Sequence, residues 1–432
     1  MSDAREVSIN VPLMARVEGE GALDLRIRDG RIEELKLCIF EPPRLFEKFL
    51  EGRSFEEVPD MVARICGICP VAYQMSAVHA IESIFGLDPG TWVRAMRRLF
   101  YCGEWIESHS LHIHLLAAPD FLGYPSVSEM ARDYPDAVRR GLHLQELGND
   151  LIKLLGGRSV NPVGARVGGF HHAPQPDVAE NLLARLQAAL PEAEALLYWS
   201  AALDLPQAVQ DFEYVSLRHA HEYPMNEGRI VSSRGLDIEI AGFEREFEEL
   251  QVPHSTALHC LHQGKPYLVG PLARLNLNFD RLPQPVQDAA LATGIRWPSM
   301  NVYHSIVARA VEIYYALSEA IRLLQAYELP AQPYVAAHPK AGVGYGCTEA
   351  PRGLLWHRYE LDGQGRVLSA RIVPPTSQNQ ARIEEDLRLS IEQFGTDKPE
   401  AEIREHAEVV IRNYDPCISC ATHFLRLKVD RA

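Results

Sequence analysis

Between residues 21 and 39 apolar and polar positions alternate, with Leu23, Leu25 and Ile27 on every second place. That is the period of a strand with one buried face. Asp29-Gly30 stands where such a run reverses, so "GALDLRIRDGRIEELKLCI" predicts a β-hairpin. Beyond it the period lengthens. "EPPRLFEKFLEG" predicts a helix that begins after two prolines and stops at Gly52. Pro70 suits the first turn of a helix reaching about Phe85, with Val71, Met75 and Val78 on one face and Gly86 as its stop. Residues 92–118 predict a long helix ending at Pro119, and 179–201 and 300–327 are also helical. In the last of these, Tyr303, Ile306, Val307, Ala310, Tyr314, Leu317, Ile321 and Leu324 recur at steps of three and four. Strands return near 228–240 and over 353–373, where "DGQG" turns one strand into the next.

Helices of this length suggest a bundle. The expected class is α+β and mainly helical, a long-helix core with small peripheral β-sheets and hairpins. No repeat, low-complexity run or linker divides the 432 residues. The chain therefore reads as a single large domain. Residues 1–55 hold the hairpin and the start of the core, 56–350 the helical core and 351–423 a C-terminal segment.

Composition narrows the function classes. The content is 47% apolar and 23% charged, normal for a globular chain. A formal net charge of −15 weighs against nucleic acid or an acidic membrane as partner. No apolar run reaches the roughly 18 residues that span a bilayer. "MSDAREVSIN" lacks the apolar centre of a signal peptide, so the cytoplasm is the expected compartment. No Gly-x-Gly-x-x-Gly loop opens a helix, so the chain itself is not expected to bind a dinucleotide.

The chemistry lies in the cysteines. Of eight, Cys66 and Cys69 form one Cys-x-x-Cys in "RICGICP", and Cys417 and Cys420 form another in "DPCISCATH". Cys38, Cys102, Cys260 and Cys347 have no such neighbour and read as small buried apolar residues. Two close pairs in a cytoplasmic chain point to metal or redox chemistry before structural disulfides. Four sulfurs suit structural zinc, a four-cysteine iron–sulfur cluster or rubredoxin-like iron. Zinc-ribbon pairs usually lie about 15–20 residues apart. Here the pairs stand at opposite ends of the chain, which places their meeting point inside the fold.

The flanks of the two pairs resemble a known family. "ARICGICP" and "DPCISCATH" resemble the two signature motifs of the [NiFe]-hydrogenase large subunit, Arg-x-Cys-Gly-x-Cys and Asp-Pro-Cys-x-x-Cys-x-x-His. "RVEGEG" at 16–21, "RLFEKFLEGR" at 44–53, "HSLHIHLLAAPD" at 109–120, "EAPRG" at 349–353 and "VPPTSQN" at 373–379 are similar to further family segments. Residues 200–300 are the least distinctive. The motifs look most like the soluble, bidirectional, NAD(P)-linked class that includes the sulfhydrogenase alpha subunits.

The resemblance implies a fold, an activity and a set of residues. Soft thiolates suit nickel. Cys66 and Cys417 would bind nickel terminally, and Cys69 and Cys420 would bridge it to an iron carrying CO and cyanide. Arg352 would stand over the site as a fixed cationic donor, with Pro351 and Thr376 beside the cofactor. Asp120 and Asp415 would hold Arg352 in place. Glu18 would pass protons outward. Glu47 and His423 would bind a second cation, magnesium or iron. His109, His112 and His114 read as helix packing, while the histidines of "GGFHH" at 168–172 are candidates for a proton or water path. Tyr73 departs from the family, which often has histidine there.

The implied reaction is reversible oxidation of H2 to protons and electrons in the cytoplasm. No cysteines remain for an electron relay, so an iron–sulfur small subunit is implied, followed by flavin-bearing diaphorase subunits that reduce NADP or NAD. A maturation protease and nickel-insertion factors are implied too, with 424–432 as a tail cut off after His423. Three rivals are a hydrogen sensor of the same fold, the quinone-site subunit of respiratory complex I, which typically lacks the four cysteines, and a metal-stabilised scaffold without redox catalysis.

Overall fold

The computed structural model describes residues 6–422. Its centre is the Ser305–Gln325 helix, apolar on nearly every face and buried along almost its whole length. The Gly90–Leu111 and Pro176–Ala201 helices pack on it, and Pro135–Gly156 lies along Gly90–Leu111. That last pair of helices touches backbone to backbone. A β-carbon at Gly103 would stand 2.9 Å from the Gly148 carbonyl oxygen, and one at Gly148 would stand 2.6 Å from the Glu107 nitrogen. Only glycine permits such an approach.

The Pro70–Phe85 helix has proline in its first turn and ends on left-handed Gly86, as the sequence predicts. The helix expected over 92–118 runs on further. Gly90–Leu111 passes into a π-helical turn, His112–Ala117, and then into Ala118–Phe121, so Pro119 sits in a new first turn and not beyond the end. Proline needs no amide partner there. The 44–52 region contains only the short Phe46–Leu50 helix.

Small antiparallel sheets flank the helices. Glu6–Val11 adds a third strand to the predicted hairpin of Gly21–Arg28 and Arg31–Ile39, in the order first, second, third. Gly342–Ala350, Gly353–Leu361 and Val367–Val373 form a second meander. One apolar cluster reaches from Ile9 to Ala421, and a smaller one gathers around Phe243, Phe247, Tyr267 and Trp356. Among the described residues, no helix is long and apolar enough to cross a membrane.

Candidate metal centre

The first cysteine pair ends at a helix N-terminus, and the second begins at one. Cys69 is the residue before the Pro70–Phe85 helix, whose first amides would otherwise lack partners. Glu104, from the neighbouring helix, accepts from the Val71 amide at 2.6 Å and the Ala72 amide at 3.1 Å. Cys417 precedes the short Ile418–Ala421 helix, and here the N-terminal segment does the capping. The Ile418 amide donates to the Glu18 carbonyl, and the Ser419 amide to Glu18 Oε2, both at 3.0 Å. Thr376 Oγ1 accepts from the Cys417 amide at 3.0 Å.

The two pairs meet. Cys66 Sγ lies 3.4 Å from Cys417 Sγ, and Cys69 Sγ lies 3.4 Å from Cys420 Sγ. All four sulfurs fall within 4.8 Å of one another and are buried. Hydrogen bonding with neighbouring thiols, Cys417 first, draws the Cys66 thiol well below its ordinary range, with Arg352 adding to the effect. Burial pushes Cys417 up.

Arg352 reaches the site from a tight turn. Ala350 pairs with Gly353, so Pro351 and Arg352 form a two-residue hairpin loop. Gly353 has φ 132°, and a β-carbon there would stand 2.7 Å from the Gly270 nitrogen. The Arg352 guanidinium is 3% exposed as a residue. It donates from Nε to the Asp415 carbonyl at 2.9 Å, from Nη2 to Asp415 Oδ1 at 3.1 Å and from Nη1 to Ser108 Oγ at 3.3 Å. Burial opposes the charge on Asp415, but Arg352, His112 and Arg309 hold its carboxyl below the usual range. Arg309 Nη2 stands 4.0 Å from Asp415 Oδ2. A small cavity borders the two arginines, lined by Leu272, Val302, Arg309 and Arg352.

A buried charge network fixes the turn itself. Arg274 donates to the Ala350 carbonyl at 2.6 Å and the Pro351 carbonyl at 3.0 Å. The same guanidinium pairs with Glu312 at 2.7 Å and Glu349 at 2.9 Å and lies 4.4 Å over the Trp105 ring. His109 Nε2 and Tyr223 Oη complete the shell around Glu312, at 2.8 and 2.7 Å. Arg274, Glu312, Glu349, Arg309, Ser108 and Glu104 escape the sequence reading. Arg274 lies in the stretch where no motif is recognisable. Glu349 opens the "EAPRG" segment, but its charge gives no sign that it is buried.

Asp120 corrects an expectation. It does not hold Arg352. Its carboxylate takes Arg412 Nε at 2.7 Å and Nη2 at 3.0 Å, and pairs with Arg16 as well. The helical run through the π-turn carries Asp120 to the N-terminal segment, leaving Asp415 as the carboxylate on Arg352.

The remaining candidates divide. Glu18 stands beside the cysteines, half-buried, and burial, with the charge of Cys66, raises its carboxyl above the ordinary value. Glu47 Oε1 accepts from the Ile372 amide at 2.7 Å. His423 and the 424–432 tail lie outside the described residues; Thr422, the last of them, accepts from the Arg44 amide at 2.8 Å. His109, His112 and His114 are buried in hydrogen bonds, and His114 stacks on Trp199. His171 and His172 are exposed. The Tyr73 hydroxyl is buried with no hydrogen-bond partner among the described residues.

Four soft sulfur donors converging inside a core form a ligand set suited to nickel. A family model described as nickel-dependent hydrogenase matches residues 44–139 and 260–423. This chain belongs to that family. It is 34% identical over 423 residues to sulfhydrogenase 1 subunit alpha of Pyrococcus furiosus, across 97% of this chain and 98% of that one. It is 28% identical over 462 residues to the NAD-reducing hydrogenase HoxS subunit beta of Cupriavidus necator, across 95% and 94%. Its fold matches a crystal structure of an NAD+-reducing [NiFe]-hydrogenase in the H2-reduced state, with TM-score 0.88 and 26% identity over 97% and 99% of the chains. A [NiFeSe] hydrogenase variant from Desulfovibrio vulgaris Hildenborough shares the fold at TM-score 0.80 and 21% identity, covering 97% and 100%. The hydrogenase large-subunit family supplies oxidoreductase chemistry on H2, with nickel and iron in its active site.

Proposed function

We propose that this chain is the catalytic large subunit of a cytoplasmic [NiFe]-hydrogenase, a single domain that interconverts H2 with two protons and two electrons. One observation carries the reading: the cysteine pairs from the two chain ends meet in the core, with Arg352 held over them and Glu18 at their side. Cys66 and Cys417 would hold nickel terminally, and Cys69 and Cys420 would bridge it to an iron bearing CO and cyanide. The pairing of sulfurs, 66 with 417 and 69 with 420, supports that division. When bound, the nickel–iron centre supplies the splitting of H2 into a proton and a hydride equivalent.

The protein's own part is position and charge. Asp415 and Ser108 fix the plane of Arg352, so its remaining N–H capacity is aimed without further reorganisation. Pro351 sets the turn behind it, and the Thr376 hydroxyl fixes the Cys417 backbone. Glu18, with its raised affinity for a proton, takes protons from the site and passes them outward. The bordering cavity gives a small apolar gas a place beside Arg352.

Glu47 and His423 would bind a second cation, magnesium or iron. The Arg44–Thr422 contact, three residues before Glu47 and one before His423, supports that placement. Electrons would leave through an iron–sulfur small subunit to flavin-bearing, NAD(P)-reducing diaphorase partners. A maturation protease would remove 424–432 once nickel is inserted.

The test is to purify the chain with its partners from its native host. Infrared bands of metal-bound CO and cyanide, equal nickel and iron, and H2-driven reduction of NADP or NAD are expected. Zinc alone, with no such bands in a chain already cut after His423, would overturn the reading and leave a metal-stabilised scaffold.

A further inference from the structure

Away from the four cysteines, a second set of metal-ligating side chains converges. His254 Nε2 lies 2.8 Å from Glu384 Oε1, and His259 Nε2 lies 4.0 Å from Glu384 Oε2. The three ligand atoms fall within 4.8 Å of one another. A separation of 4.0 Å is too long for a hydrogen bond. The His259 Nε2 atom is buried and has no hydrogen-bond partner among the described residues, and the residue is only 6% exposed. A buried polar nitrogen left unpaired costs free energy that a native core rarely leaves uncompensated. Here that nitrogen shares a three-donor cluster with a carboxylate oxygen just out of reach.

We infer that His254, His259 and Glu384 form a zinc-class divalent metal site distinct from the nickel centre. Two imidazoles and one carboxylate are a common donor set for zinc, with bonds of about 2.0–2.2 Å. Ligand atoms around such an ion stand roughly 3.4 Å apart, so the 2.8 Å separation would open and the 4.0 Å one close, each by under about 1 Å. Imidazole donors disfavour calcium and magnesium, which prefer oxygen. Burial holds the His259 ring in the neutral form that a metal ligand requires. Three protein ligands leave a fourth position for water, on the side where His254 and Glu384 are each 18% exposed.

The placement suggests a clamp. Glu384 belongs to the Pro375–Phe394 helix, and its Oε1 also accepts the Leu37 amide at 2.9 Å on the open edge of the N-terminal sheet. His254 and His259 bracket a loop tied to that sheet's end by the Thr256 amide on the Ile39 carbonyl, at 2.7 Å. One ion would join the edge strand, the loop and the helix. Thr376, which fixes the Cys417 backbone, lies eight residues earlier on the same helix, about 12 Å along its axis at 1.5 Å per residue.

The test uses the purified, nickel-loaded complex, washed with a mild chelator and titrated with zinc. Wild type should take up one zinc per large subunit, with an absorption-edge spectrum showing a nitrogen and oxygen shell without sulfur. The unfolding temperature should rise on binding. His254→Gln, at a partly exposed position that spares the core, should lose that zinc and that rise while its nickel content stays intact. His259→Gln and Glu384→Gln should weaken binding at least tenfold. Failure of wild type to take up zinc, a sulfur-containing shell, or unchanged binding by His254→Gln would each overturn the inference. Zinc stoichiometry, the edge spectrum and the unfolding temperature can be read whether or not the hydrogenase reading is right.

Discussion

Glu18 accepts the Ser419 amide at 3.0 Å across 401 positions of chain, and its own backbone carbonyl takes the neighbouring Ile418 amide. A segment near the beginning of the polypeptide thus caps the helical turn that carries the last cysteine pair. One residue serves both the architecture of the centre and the proton traffic proposed for it, and substitution can separate the two.

Glu18→Gln keeps an oxygen for the Ser419 amide but removes the ionisable group. H2 oxidation should fall by about 10²-fold or more, the scale of a lost general base. Nickel and iron content and the infrared bands should stay as in wild type. Full activity in this variant would remove Glu18 from the proton route.

Arg352→Lys keeps the charge but not the planar fork that spans Asp415 and Ser108. Turnover should drop about 10²–10³-fold, the range for losing a fixed donor aimed at developing charge. Asp120→Asn should act elsewhere. It loosens Arg16 and Arg412, so the unfolding free energy should fall by about 1.5–3 kcal/mol while the loaded enzyme keeps most of its turnover. An activity loss matching that of Arg352→Lys, at wild-type stability, would put Asp120 back among the groups that act on the site.

Tyr73→Phe deletes a hydroxyl that is buried without a protein partner. Stability should change by less than about 1 kcal/mol, and a small gain is expected. A clear loss of stability, or a shift of the metal-ligand infrared bands, would mean that this hydroxyl bonds a sulfur in the loaded enzyme.

The Arg274 network gives stability a pH dependence of two signs. Burial opposes the charge of Glu312, but Arg274 outweighs it and holds the carboxyl at about 2, below its ordinary 4.5. The stability from Glu312 is therefore present above pH 4.5 and is lost as pH falls toward 2. Burial pushes Glu349 the other way, to about 7, so its contribution is full below pH 4.5 and is lost as pH rises through 7. Denaturant unfolding across this range should show both limbs. Glu312→Gln should flatten the acid limb, and Glu349→Gln the upper one. An unaltered acid limb in Glu312→Gln would exclude that carboxylate as its source.

Much of this was legible in the chain. The hairpin over 21–39, the helix from Pro70 to Gly86 and the central helix near 305–325 announce themselves through period, proline and glycine. The cysteine pairs announce the centre. Other helices were hidden because what they bury does not look apolar. Pro375–Phe394 buries Thr376, Gln378, Asn379, Arg382 and Asp386, which bond to residues far off in sequence. Pro135–Gly156 buries Gly148, where the missing side chain lets backbones touch, and Gly141, whose missing side chain leaves room for the His114 ring. Asp120 was misplaced for a related reason. Nearness to a motif says that a carboxylate is needed, but only the tertiary path says which arginine it meets.

The 351 positions between Cys66 and Cys417 also impose an order of events. At about 5–20 residues per second, a ribosome needs roughly 20–70 s to travel from the first sulfur to the third. For that interval Cys66 and Cys69 stand as half a ligand set, open to whatever cation or oxidant meets them. Selecting the correct metal therefore falls to whatever shields that half-site, or delivers the ion after the last pair has emerged.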